Sequence, residues 1–297
     1  MTPAPSDFAA YWDQLDRDLV RFSPAPELVP NVRRSTSFAS AYDLRLTSLG
    51  SYRIFGFYSV PHGDGPFPTL LQTPRYGSVN NPAHGYDRER YVVLTLMHRG
   101  QRQADQPFAA AYPGLLTHGI DSSHSYIYRA IVADCLRGLD WLASQPIVDV
   151  NRIAVHGDDL ALIIAARRPI VSVVVTQFAL FYRAMEARIR TEAYPIEEFN
   201  DFVRFFPNLA EQVAHTLSYL DPLHHAPSVR ATTLLPTGDP GALNGPEWLQ
   251  PVADALGGPV EHYDVTHEGG TDADWLDAWL AGKLGVPPMP KLWEIEE

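Results

Sequence analysis

Hydrophobic positions along this chain change period twice. Phe8, Tyr11, Trp12, Leu15 and Leu19 recur at three- and four-residue steps, which predicts an amphipathic helix over about 7–20 with Ser6 as its N-cap. Residues 51–60 alternate apolar and polar, the mark of a strand exposed on one side. From there, short Val/Ile/Leu runs at Thr69–Gln72, Tyr91–Leu96, Arg152–His156, Ser172–Val175, Thr232–Leu235 and Val260–Val265 are separated by helical stretches. Those stretches fall at about 126–144, 160–167, 192–215 and 246–257, with a last one at about 272–284. Continuous apolar strands interleaved with helices predict an α/β fold, a mostly parallel central sheet with helices on both faces. Nothing resembling a linker divides the chain, so a single domain over 1–297 is expected, with the first helix as an extension.

In such sheets reactive groups gather at the carboxyl ends of the strands. Three of those ends stand out. Arg152–His156 runs into Gly157-Asp158-Asp159-Leu160-Ala161 and directly into a helix, the strand–turn–helix context of a nucleophile elbow, G-x-S-x-G. In that register Gly157 holds the first glycine position and Asp159 the nucleophile position. Asp239 follows the strand ending near Leu235, and His267 follows the strand ending near Val265. Nucleophile, acid and histidine in that order are the α/β-hydrolase order. Asp159, Asp239 and His267 are therefore the candidate catalytic residues.

Several further segments resemble the acetyl xylan esterase and cephalosporin C deacetylase family, over roughly residues 7 to 285. They are Arg53-Ile54-Phe55-Gly56, Arg99-Gly100-Gln101, Tyr126-Ile127-Tyr128-Arg129, Val148-Asp149 with Arg152-Ile153, and Thr216 to Asp221. The resemblance implies the α/β-hydrolase fold, a homo-oligomer and a serine-dependent deacetylase. The chain departs from the family at the site itself. The serine is Asp159, the glutamine after it is Leu160, and the loop that supplies an oxyanion donor reads Pro74-Arg75-Tyr76. Backbone N–H groups of Tyr76 and Leu160 could still form an oxyanion hole, and Arg75, Arg99 and Gln101 lie on loops expected to reach a substrate.

Aspartate is a poor replacement in acyl transfer, because its attack on an ester gives a mixed anhydride. Removing the nucleophile of such a triad costs on the order of 10⁶ in rate, so ordinary deacetylase activity is expected to be lost or residual. Three readings stay open. Asp159 attacks an sp³ carbon, as in haloalkane dehalogenases and epoxide hydrolases, with Tyr76, Tyr126 and Tyr128 available for an epoxide oxygen. Alternatively it acts as a general base, or it and Asp158 cap the following helix in a non-catalytic binding or assembly protein.

Composition narrows the partners. The formal net charge of −12 and only two lysines, Lys283 and Lys291, argue against nucleic acid. No window reaches the roughly 18 apolar residues of a membrane span, and the first residues do not resemble a signal peptide, so a cytoplasmic protein is expected. The single cysteine, Cys135, reads as a core thiol. No glycine-rich phosphate loop or metal-ligand spacing is present, so neither cofactor nor metal is expected; the expected partner is a small-molecule substrate or ligand.

Overall fold

The computed structural model describes residues 2–83 and 85–290. Among them nine strands form one sheet in the order β1-β2-β3-β5-β4-β6-β7-β8-β9. The antiparallel leader comprises β1 (Glu27–Pro30), β2 (Ala39–Thr47) and β3 (Arg53–Pro61), with β3 pairing antiparallel to β5 (Val92–Met97). From β5 onward every pairing is parallel, through β4 (Phe67–Gln72), β6 (Val148–Gly157), β7 (Val173–Thr176), β8 (Thr232–Thr237) and β9 (Val260–Asp264).

The parallel strands follow the apolar runs because both faces of that part are covered. On one side Leu71, Leu94 and Val155 join the large core with α3 (Ile127–Ala143) and α4 (Asp159–Arg167). On the other, Leu70, Val93 and Ala154 pack with Leu280 and Leu284 of α10 (Gly269–Leu284); the short α2 (Gly85–Arg90) lies alongside, tied to α10 by Arg90 and Asp277. The strand β2 lacked so clear a run. Its burial alternates unevenly, as expected of an antiparallel segment with one covered face.

The first helix, α1 (Phe8–Val20), forms where its stripe predicts, but Asp7 rather than Ser6 holds the N-cap position, and its side chain makes no capping bond, accepting instead from the Tyr219 hydroxyl at 2.6 Å. Nor is the helix an exposed extension. Tyr11, Trp12, Leu15 and Leu19 are buried, Tyr11 donates to the Ser123 carbonyl at 2.6 Å, and Trp12 donates to the Tyr219 carbonyl at 3.2 Å. The aromatic stripe is thus used within the chain and is no evidence for a subunit contact.

The helical stretch expected over 192–215 is two helices, α6 (Glu197–Phe205) after the one-turn α5 (Ala184–Ala187), and α7 (Ala210–Leu220). Pro207 separates them, since it lacks the N–H that would continue the ladder and pushes Phe206 out of helical geometry. The one-turn α8 (Pro222–His225) and α9 (Pro246–Ala255) complete the set. No helix among the described residues is long and apolar enough to cross a membrane. Lys291 lies outside the described residues.

Candidate active site

β6 ends at Gly157, and the approach there is close: a Cβ on Gly157 would lie 1.8 Å from the Thr73 hydroxyl oxygen. This glycine is required by the contact between two strand ends, whatever follows it. Asp158 is extended and caps α4, its Oδ1 accepting from the Leu160 N–H at 3.1 Å. Asp159 opens the helix with its side chain fully buried. It is not among the positive-φ residues, so the strained nucleophile conformation of an elbow is absent.

The partners of Asp159 come from the segment after β7. The N–H groups of Ala179 and Leu180 donate to its Oδ2 at 2.8 and 2.9 Å, and those of Phe181 and Tyr182 donate to its Oδ1 at 2.9 and 2.8 Å. Four consecutive backbone donors on one carboxylate form a nest that favours its charged form. Burial opposes them and wins, so the Asp159 carboxyl is shifted upward despite these bonds. Burial, and then the charge of Asp159 next door, push Asp158 upward as well. Two adjacent buried acids favour one shared proton over two charges.

The segment is gripped from its other end too. Asp221 accepts from the Arg183 N–H at 3.2 Å and from the Leu223 N–H at 3.0 Å. Burial raises its carboxyl to about 7. Phe181 packs edge-on against Tyr128, and Tyr182 donates to the Trp248 carbonyl at 2.8 Å. The elbow aspartate is therefore one side of a clamp whose segment follows 20–23 residues later and whose other acid, Asp221, lies more than sixty residues along the chain. No short-range spacing announced it.

Asp239 and His267 are brought together, with Nε2 of His267 3.6 Å from Oδ2 of Asp239. Both are largely exposed, at 80% for the Asp239 side chain and 63% for that of His267. His267 adopts φ 63°, a left-handed conformation that costs a non-glycine residue energy. It borders a pocket of about 350 Å³ with Phe178, Leu249 and Asn244. Asp159 does not line that pocket, and no hydrogen bond or ion pair joins it to His267 among the described residues.

The remaining expected site residues divide. Leu160 has its N–H occupied by Asp158, which removes it as a free oxyanion donor. Arg99, expected over a substrate, is buried instead. Its guanidinium bonds both oxygens of Asp134 at 3.0 and 2.7 Å and the Leu49 carbonyl at 2.9 Å. Gln101 is also buried, and its amide donates to the Arg75 and Gly77 carbonyls, shaping that loop from beneath. The Tyr126 hydroxyl is held by the Leu116 carbonyl at 2.7 Å. Tyr76 sets its ring edge-on to Tyr112, and the Arg75 side chain lines a second, larger cavity.

Strand order, helices on both sheet faces and the Asp–His pair beyond β8 and β9 define an α/β-hydrolase fold. Two solved structures align over nearly the whole molecule. The acetyl xylan esterase of Paenibacillus sp. R4 matches with a TM-score of 0.82 at 24% identity, covering 95% of this chain and 96% of that one. Acetyl xylan esterase 1 of Thermoanaerobacterium sp. JW/SL YS485 gives 0.80 at 22% identity, covering 94% and 95%. The model of the acetyl xylan esterase family matches residues 1–245, and the chain belongs to that family. An acetyl esterase of Xylanibacter ruminicola is 26% identical over 243 residues. The match takes in 76% of this chain and 54% of that protein, so the chain spans about half the length of this curated relative.

Proposed function

We propose that this member of the acetyl xylan esterase family has given up serine-type ester hydrolysis and works as a binding protein on the hydrolase frame. One observation carries the reading: the side chain at the nucleophile position is fully buried and accepts four backbone N–H bonds. A nucleophile must present its attacking atom to an acyl carbon beside free oxyanion donors. Asp159 presents neither oxygen, and the Leu160 N–H is spent on Asp158. The same bonds count against attack on an sp³ carbon, since both lone-pair directions are filled from within. The exposed His267–Asp239 pair, beside a pocket that Asp159 does not line, offers at most general-base assistance to water.

The test is hydrolysis of p-nitrophenyl acetate by the parent chain, Asp159→Ser and His267→Ala. The expected result is no turnover above the solvent rate for any of the three. Restoring the serine does not restore catalysis, because the elbow conformation is missing and the Leu160 donor is already spent. Turnover by the parent that His267→Ala abolishes would overturn the reading.

A further inference from the structure

Across the middle of the sheet, one row of side chains breaks the apolar pattern. Gln72 pairs in register with Thr95 of β5 on one side and with His156 of β6 on the other. Two residues earlier the same face carries Leu70, Val93 and Ala154, packed under α10. Polar groups on a covered sheet face are costly unless they meet partners. Thr95 donates to Oε1 of Gln72 at 2.6 Å. The Gln72 amide nitrogen and both ring nitrogens of His156 have no hydrogen-bond partner among the described residues.

What faces this row is a cavity of about 770 Å³ between the sheet and α10, within the range of ligand sites. Its floor is Gln72, Thr95 and His156, and its walls include Leu70, Leu276 and Leu280.

Charge is distributed unevenly around the cavity. On the far wall Asp87 and Asp277 both pair with Arg90. At the rim, Arg75 makes no ion pair among the described residues; it lies near enough to Asp158 to favour that carboxylate's charged form, and near enough to His156 to repel its proton. Burial, aided by that cation, lowers the imidazole to about 4, leaving it a neutral donor and acceptor at physiological pH.

We propose that this cavity binds a small organic carboxylate with an apolar body, the carboxylate seated between Arg75 and the Gln72–His156 floor. Arginine and an amide N–H supply charge-assisted and neutral donors to such a head group, and the leucine walls take the hydrocarbon. The site is separate from the pocket that His267 borders, and its occupancy does not depend on the fate of Asp159.

Calorimetric titration of the full chain with 2-naphthoate and octanoate, with 2-naphthamide as the uncharged control, tests this. At least one acid is expected to bind saturably with a Kd of about 10–500 µM, in the ordinary range for small unoptimised ligands. Arg75→Gln should weaken the acid about tenfold and leave the amide unchanged. Ala273→Trp, which places an indole in the cavity from α10, should abolish binding in a chain whose circular dichroism matches the parent. His267→Ala should bind like the parent, so a hydrolytic His267 would sink the non-hydrolytic reading without touching this one. Absence of saturable binding by both acids, equal affinity for acid and amide, or indifference to Arg75→Gln would overturn the proposal.

Discussion

Removing the Asp159 carboxylate separates a clamp from a nucleophile, because the two roles predict opposite effects on stability. In Asp159→Ala four N–H groups lose their acceptor, those of Leu180, Phe181 and Tyr182 buried and that of Ala179 partly so. A buried donor left unpaired costs about 1–3 kcal/mol, so the gross loss from the three buried donors is roughly 3–9 kcal/mol. Part is returned, since the variant no longer buries an acid beside Asp158, and water entering the gap satisfies some donors. The net destabilisation is expected at about 3–5 kcal/mol, the range for breaking one side of a buried polar network. That is a large share of a typical stability of about 5–15 kcal/mol. At about 2–4 °C per kcal/mol for a large domain, the unfolding midpoint should fall by roughly 6–20 °C.

Asp159→Asn sharpens the result. Its amide keeps one acceptor oxygen and turns an NH₂ group toward two donors, so it should be destabilised nearly as much as the alanine variant. A carboxylate kept for catalysis behaves differently, because its removal commonly leaves stability unchanged or raised. Thermal and urea unfolding of the three proteins decide the matter. Midpoints within about 1 kcal/mol of the parent for both variants would refute the clamp.

Asp221 carries a pH dependence with a definite sign. Its carboxyl is raised to about 7 in the fold against the ordinary 3.8, so the folded chain holds a proton that the unfolded chain releases between those values. Its stabilising contribution is complete below about 4 and lost as pH rises to about 7, with a slope near 1.4 kcal/mol per unit for one proton. Asp221→Asn should flatten urea-midpoint profiles in that window, while the similar upward shift of Asp158 leaves some slope behind. Unchanged profiles would contradict the burial argument. Gly157→Ala should destabilise by about 1–3 kcal/mol through overpacking on Thr73, and Gly157→Ala combined with Thr73→Ser, which keeps the same hydroxyl, should not recover it. Thermal melts of the single and double variants read this directly.

Most of the parallel strands were legible because each holds a short apolar run buried on both faces, a pattern that needs no knowledge of the partner; the edge strand β9, Val-Glu-His-Tyr-Asp, is partly exposed. The helices α3, α4, α9 and α10 were legible from their period, as was the order Asp159, Asp239, His267 at successive strand ends. The polar row of Thr95, Gln72 and His156 was present in the same runs, as three polar residues toward the ends of apolar strands. Only register could align them, and register is a property of strand pairing.

Conformation and contact at the site were decided by tertiary structure. A carboxylate after Gly157 is compatible with a nucleophile, a helix cap or a buried clamp, since all three need an acceptor at that point of the chain. The segment that closes on Asp159 arrives from β7, and Asp221 holds its far end from beyond α7. Arg99 and Gln101 show the same limit, being drawn inward by Asp134 and by the carbonyls of the Arg75 loop. Sequence determined which elements form and where reactive residue types fall among them, because period and propensity are local. Which of those residues meet substrate, and which are consumed in holding the fold, depended on long-range hydrogen bonds that no local pattern encodes.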